Sequence, residues 1–159
     1  MKCGLTLFLL LGIILPCTLA RSPFSVPEDP LWVQAGSEND IRASGQVYRC
    51  TDPDETEMHI VFFHRVTPHE TRAEHLRYFK DFLGNIQQAY PNVIMTYARV
   101  LGEEVPFISV FDPEGNTFFW GALYHKTNTF EIAVTAEGRR AALPHQVTNL
   151  LDRVTLHGP

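Results

Sequence analysis

Residues 105–124 read VPFISVFDPEGNTFFWGALY. Two apolar runs, Phe107–Phe111 and Thr117–Leu123, enclose Asp112-Pro113-Glu114-Gly115-Asn116. Pro113 carries the fixed φ that the second position of a type I turn needs, and Gly115 supplies the left-handed residue after it. The stretch predicts a β-hairpin. Neither run alternates apolar with polar, so both faces of the hairpin are covered and it lies mid-domain. Most of its aromatics are core. Trp120 and Tyr124 carry polar handles and are the candidates to line a binding pocket.

The predicted elements spread outward from this hairpin. Upstream, MHIVFFH at 58–64 is β-branched and aromatic, a central strand. It pairs with Gln46–Cys50 across the acidic turn at 52–57. A helix follows, with Thr67 as cap, Pro68 at its first position and Glu70 completing a capping box. Leu76, Phe79, Phe82, Leu83 and Ile86 recur at helical spacing, and the helix stops by Tyr90, before Pro91. Asn92–Leu101 is the next strand, and Gly102-Glu103-Glu104 joins it to the hairpin. Downstream come a polar turn at His125–Thr129, a strand over Phe130–Thr135 and a loop at Glu137–Arg140. A final helix runs from Pro144 to about Leu156. This order predicts one small α/β domain over residues 46–159: a mixed sheet with a βαβ unit, a β-hairpin and a C-terminal helix.

The chain opens with Lys2, an apolar run from Leu5 to Leu15 and small residues at Thr18 and Ala20, the pattern of a secretory signal peptide over residues 1–20. The run is too short to span a bilayer, so a secreted product without a membrane span is expected, extracellular or in the secretory-pathway lumen. Residues 21–45 read as an extended N-terminal arm, with Pro23, Pro27 and Pro30 forcing extended backbone. Trp32 is its one anchor and a candidate binding residue. The chain holds 13 Lys and Arg against 18 Asp and Glu, a net charge of −5. Loss of Lys2 makes it one unit more acidic, which argues against nucleic acid as a partner.

Cys3 and Cys17 leave with the signal peptide, so Cys50 is the only mature cysteine and no internal disulfide is possible. A resolving thiol is missing for a dithiol mechanism. Arg49 faces away along the strand, and Asp52, Asp54 and Glu55 disfavour a thiolate. Cys50 is therefore expected to be a buried, unreactive thiol or to pair with another chain in a disulfide dimer, and not to be catalytic. His59 and His64 face opposite sides of a strand, and His69 and His75 sit six residues apart on a helix, so no metal site is expected. No Gly-x-Ser-x-Gly and no Gly-rich phosphate loop occurs, and no cofactor is expected. The acidic turn lacks the spaced carboxylates and glycine of a calcium loop. Gly138-Arg139-Arg140 is a dibasic processing signal, but cleavage there would shed a terminal helix whose apolar face argues for packing.

Val105-Pro106-Phe107 at the start of a hairpin strand resembles the cis-proline position of the thioredoxin-like superfamily. Val61-Phe62-Phe63 running into a capped helix resembles that family's first core strand and active-site helix. The short connection at Gly102–Val105 is similar to the compact selenoprotein W and T type. The family's Cys-x-x-Cys pair would fall near Thr67-Pro68-His69-Glu70, which holds no cysteine. The resemblance implies a thioredoxin-like scaffold without redox thiols. The expected function is then binding or interaction without catalysis, with an extracellular protein or small ligand as partner. Two alternatives stand beside it: a thiol oxidoreductase-related enzyme using Cys50, and a cystatin-like binding or inhibitor domain. All-antiparallel strands wrapping the long helix would mark the latter.

Overall fold

The computed structural model describes residues 24–39, 43–55, 57–65, 71–90, 92–126 and 128–157. The expected signal peptide, the start of the expected arm and the expected cap at Thr67–Glu70 lie outside these residues.

Two short strands and a seven-stranded sheet carry the chain. In order they are β1 (Phe24–Ser25), β2 (Trp32–Asn39), β3 (Ala43–Cys50), β4 (Met58–Arg65), helix α1 (Arg72–Ala89), β5 (Ile94–Val100), β6 (Glu103–Phe111), β7 (Thr117–His125), β8 (Asn128–Ala136), helix α2 (His145–Leu151) and β9 (Thr155–Leu156). The large sheet has the order β2-β3-β4-β8-β7-β6-β5, and β1 pairs with β9. Residues 24–39, expected as part of an extended arm anchored at Trp32, instead supply β1 and the edge strand β2. β3 begins at Ala43, inside the expected arm.

The expected mixed sheet is corrected, because every pairing among the described strands is antiparallel. α1 does connect β4 to β5, which point the same way. However, β8, β7 and β6 lie between them, so no adjacent parallel pair forms. The hairpin at 105–124 stands as β6 and β7, in register from Phe107↔Gly121 to Phe111↔Thr117. Gly115 has φ 90°, and the Asp112 carboxylate accepts from the Asn116 backbone N–H at 2.8 Å. Pro106 has a trans peptide, not the cis bond of the resemblance. The β6–β7 ladder starts one residue beyond it, where a nitrogen without a proton costs no rung.

α1 is capped by Thr71. The Thr71 hydroxyl accepts from the Glu74 N–H and the Glu74 carboxylate accepts from the Thr71 N–H, each at 3.2 Å. Tyr78, Phe79, Phe82, Leu83 and Ile86 pack with Ile108, Trp120 and Ala122 on one face of the sheet. Leu76 was expected there but is 58% exposed. At about 100° per residue it falls outside the arc that the packed residues share.

The other face curls around a larger core, in which Phe24, Phe62, Phe107, Phe119 and Phe130 are all at most 1% exposed. Phe24 meets Phe130 edge-on at 4.8 Å and Phe62 at 5.1 Å, so the N-terminal segment is tied down by aromatic packing as well as by β9. α2 closes the open side. Its Val147, Leu150 and Leu151 are fully buried. It packs on β5 near one edge of the sheet, while Gln146 bonds Asp52, just past β3 near the other. The expected terminal helix is thus shorter, and the residues after Leu151 turn into β9.

Gly121 is the tightest point of this core. A Cβ there would lie 2.8 to 2.9 Å from three atoms of the Phe107 ring. Gly121→Ala should therefore destabilise the fold by about 1–3 kcal/mol in urea denaturation. Adding Phe107→Leu should recover part of that loss, because a smaller side chain makes room for the methyl group; purely additive losses would show that the ring is not the obstacle.

Candidate functional site

An open sheet has two edges, and here they differ. β2 is guarded: its register slips between Gln34 and Gly36, and Gln34, Ala35, Gly36 and Ser37 are small or polar and exposed. Bulges and polar side chains of this kind discourage edge-to-edge pairing. β5 has no bulge, and Arg99 is its only charged residue. It pairs with β6 in unbroken register from Ile94↔Ser109 to Val100↔Glu103, and no described strand lies on its outer side. Ala98 and Val100 point into the curled core. Met95, Tyr97 and Arg99 alternate with them and stand on the α1 side, Met95 42% and Tyr97 54% exposed. Two of the four exposed large hydrophobic residues among those described therefore share one strand and one face.

The geometry beside this edge is stiff. Leu101 and Gly102, with φ 52° and 79°, form the two-residue turn between β5 and β6, and positive φ at both positions is what a type I′ hairpin requires. Leu101 accepts that conformation because its side chain packs against the core. Past the turn, Glu103 Oε1 lies 3.0 Å from His125 Nδ1, and Arg72 reaches the other carboxylate oxygen at 4.0 Å.

The residues singled out in the sequence lie elsewhere, and on different faces. Trp32 is 6% exposed on the curled side, opposite Cys50 in the β2–β3 register. It lines a polar cleft beside α2. Trp120 is also 6% exposed, but under α1. Phe82 lies 4.1 Å from its ring and Phe79 stacks on it at 5.7 Å. Its indole N–H donates to Glu131 Oε2 at 3.3 Å, and the Tyr78 hydroxyl donates to Glu131 Oε1 at 3.4 Å. The polar handle that marked Trp120 as a pocket residue is thus spent inside the fold. Tyr124 is half-buried, its ring 6.0 Å from that of the buried His75. Trp32 and Trp120 share no patch, since the sheet separates them.

Cys50 is 8% exposed. Burial pushes its thiol above the ordinary range, and Asp52 and Glu55 add to the rise, outweighing backbone N–H donors from Asp52 and Thr51. A thiol so placed is a poor nucleophile and a poor handle for a second chain. The dibasic pair is likewise engaged. The Arg140 guanidinium grips the Glu55 carboxylate at 3.2 and 2.5 Å, and its backbone N–H donates to Thr117 at 2.8 Å. Arg139 lies over the Phe111 ring at 5.4 Å, beside a cleft of about 520 Å³ at the hairpin turn. Among the described residues, no group of three or more His, Cys, Asp or Glu is placed to hold a metal ion, and no helix is long and apolar enough to cross a membrane.

No family model, curated protein or solved structure matches this chain.

The β5 edge was not recognised in the sequence because NVIMTYARVL reads as an ordinary internal strand. The one available signal was Arg99, two residues after Tyr97 and so on the same face, which marks that face as open to water.

Burial of Cys50 has a direct chemical consequence. Iodoacetamide should label the folded protein at a rate set by opening of the β2–β3 pair, slowed at least tenfold relative to the same chain in denaturant. Equal rates, read by mass spectrometry, would contradict the buried placement.

Proposed function

We propose that this chain is a secreted interaction protein that works by contact and not by catalysis. Its partner is an extracellular protein that lays an extended segment along β5 as an added strand. The observation that carries the reading is the unguarded β5 edge with Met95, Tyr97 and Arg99 exposed on one face. Unpaired backbone groups of an edge strand supply affinity, and alternate side chains supply selectivity. Met, Tyr and Arg are the residue types that interface centres favour, whereas a protective edge would carry lysine, proline or a bulge. The trapped Cys50 thiol counts against the oxidoreductase alternative. Of the two scaffold readings, antiparallel pairing throughout supports the cystatin-like alternative over the thioredoxin-like one. Likeness of architecture alone carries no inhibitory activity with it.

The test compares the two edges. Immobilised wild-type protein, Met95→Lys/Tyr97→Lys and Val33→Lys are each used to capture proteins from extracellular fluid. A partner retained by wild type and Val33→Lys and lost with the β5 pair is the expected result. A partner that survives the β5 change, with both variants folded, would overturn the reading. Dimerisation of the protein itself, abolished by the same pair, would replace the partner strand with that of a second copy.

A further inference from the structure

Of the 13 Lys and Arg in the chain, only Arg139 and Arg140 stand side by side. They lie in the irregular loop between β8 and α2, where Glu137, Gly138, Arg139, Ala141 and Ala142 are all exposed. Exposed loops of small and polar residues are where proteases cut folded chains. Two arginines followed by two alanines form the pattern cut by endoproteases that read paired basic residues. Arg140 would enter the enzyme's specificity pocket, and the bond to Ala141 would be the one cut. Ala141 and Ala142 make no hydrogen bond among the described residues.

The fold holds this loop shut. A protease that selects a basic side chain seats it on a carboxylate of its own, and Glu55 already plays that part. The Arg140 guanidinium donates to Glu55 Oε1 and Oε2 at 3.2 and 2.5 Å, a two-pronged pair whose carboxylate is 9% exposed. The backbone is clipped as well: the Thr117 hydroxyl donates to the Gly138 carbonyl at 2.7 Å and accepts from the Arg140 N–H at 2.8 Å. Arg139, in contrast, is exposed, with its guanidinium over the Phe111 ring. The lock thus falls on the arginine that the enzyme must take.

The turn that places Glu55 also grips the chain beyond the loop. The Glu55 N–H donates to the Asp52 carbonyl at 3.0 Å, and Asp52 Oδ2 accepts from Gln146 Nε2 of α2 at 2.8 Å. Past Ala142, the side chains of Leu143, Val147, Leu150, Leu151 and Val154 are buried, and β9 pairs with β1. Burial on that scale keeps residues 141–159 seated whether or not the loop is continuous.

We infer that Arg139-Arg140 is a latent processing site, closed by the Glu55–Arg140 ion pair, and that cleavage there yields a two-chain protein and not a truncated one. Water adds across the Arg140–Ala141 peptide bond, leaving a carboxylate on Arg140 and an amine on Ala141. The inference does not rest on the β5 edge.

The test incubates the folded protein with a subtilisin-family endoprotease specific for paired basic residues and follows the products by mass spectrometry. Wild type should be cut slowly between Arg140 and Ala141, and Glu55→Gln about tenfold faster. The two pieces should co-elute on size exclusion and separate only in denaturant. Equal rates for wild type and Glu55→Gln would overturn the lock, and absence of that cut in Glu55→Gln would overturn the site. Loss of the 141–159 piece in native buffer would overturn the two-chain product. Low urea separates release of the loop from unfolding, with rates normalised to a free Arg-Arg peptide. Local release gives a Glu55→Gln rate that urea barely changes; a rate that climbs steeply would show that only the unfolded chain is cut, against the inference.

Discussion

A phenyl ring lying over a glycine sets the shape of this molecule. Phe107 and Gly121 are directly opposite in the β6–β7 register, and the ring occupies the space that a side chain at 121 would take. The same arrangement recurs on the opposite face, where a Cβ at Gly45 would lie 2.7 Å from the ring of its partner Phe63. Glycines covered by a cross-strand aromatic are a way of bending a sheet without opening a hole in it. Here the bend lets the sheet wrap its phenylalanine core, and it brings β5 and the segment beyond β3 close enough for α2 to span the open side.

Curling one face inward leaves the other to α1. Trp120 is the contact that seats the helix, with aromatic rings of α1 against it and its N–H satisfied by Glu131. Both faces of the central strands are thereby covered, and β7 has almost no accessible side chain from Thr117 to Leu123. What remains open is at the margins. The β2 margin is blunted by its bulge and polar residues, whereas the β5 margin keeps a regular backbone and an amphipathic row. With Cys50 and most of the described aromatics buried, the adaptable chemistry is at that margin.

The sequence was informative wherever the signal was local. Asp112-Pro113-Glu114-Gly115 encodes its own turn, and the β6–β7 hairpin stands where it was expected. The helical period of Phe79, Phe82, Leu83 and Ile86 was sound. The capping box slipped by four residues because Thr67-x-x-Glu70 and Thr71-x-x-Glu74 are equivalent patterns in the chain. Topology was not legible. A strand, a helix and a strand in sequence do not reveal that β6, β7 and β8 insert between the two strands, since that depends on pairings between residues far apart in the chain, such as Met58↔Ala136. For the same reason the edge could not be told from the interior. Trp120 and Tyr124 were marked for their polar handles, but the group that satisfies Trp120 is Glu131, one strand away, and no spacing rule connects them.

The central claim is that β5 is the free, regular edge of a sheet whose other edge, β2, is bulged and polar. Residue-resolved hydrogen exchange of the isolated protein tests it most directly. On this account every second amide of β5, the ones facing outward, exchanges at rates near those of exposed backbone. The alternate amides bonded to β6 and the amides of β7 exchange far more slowly, by global opening. Uniform slow exchange along residues 94–100, at a concentration where the protein is monomeric, would show that the edge is covered and would contradict the account.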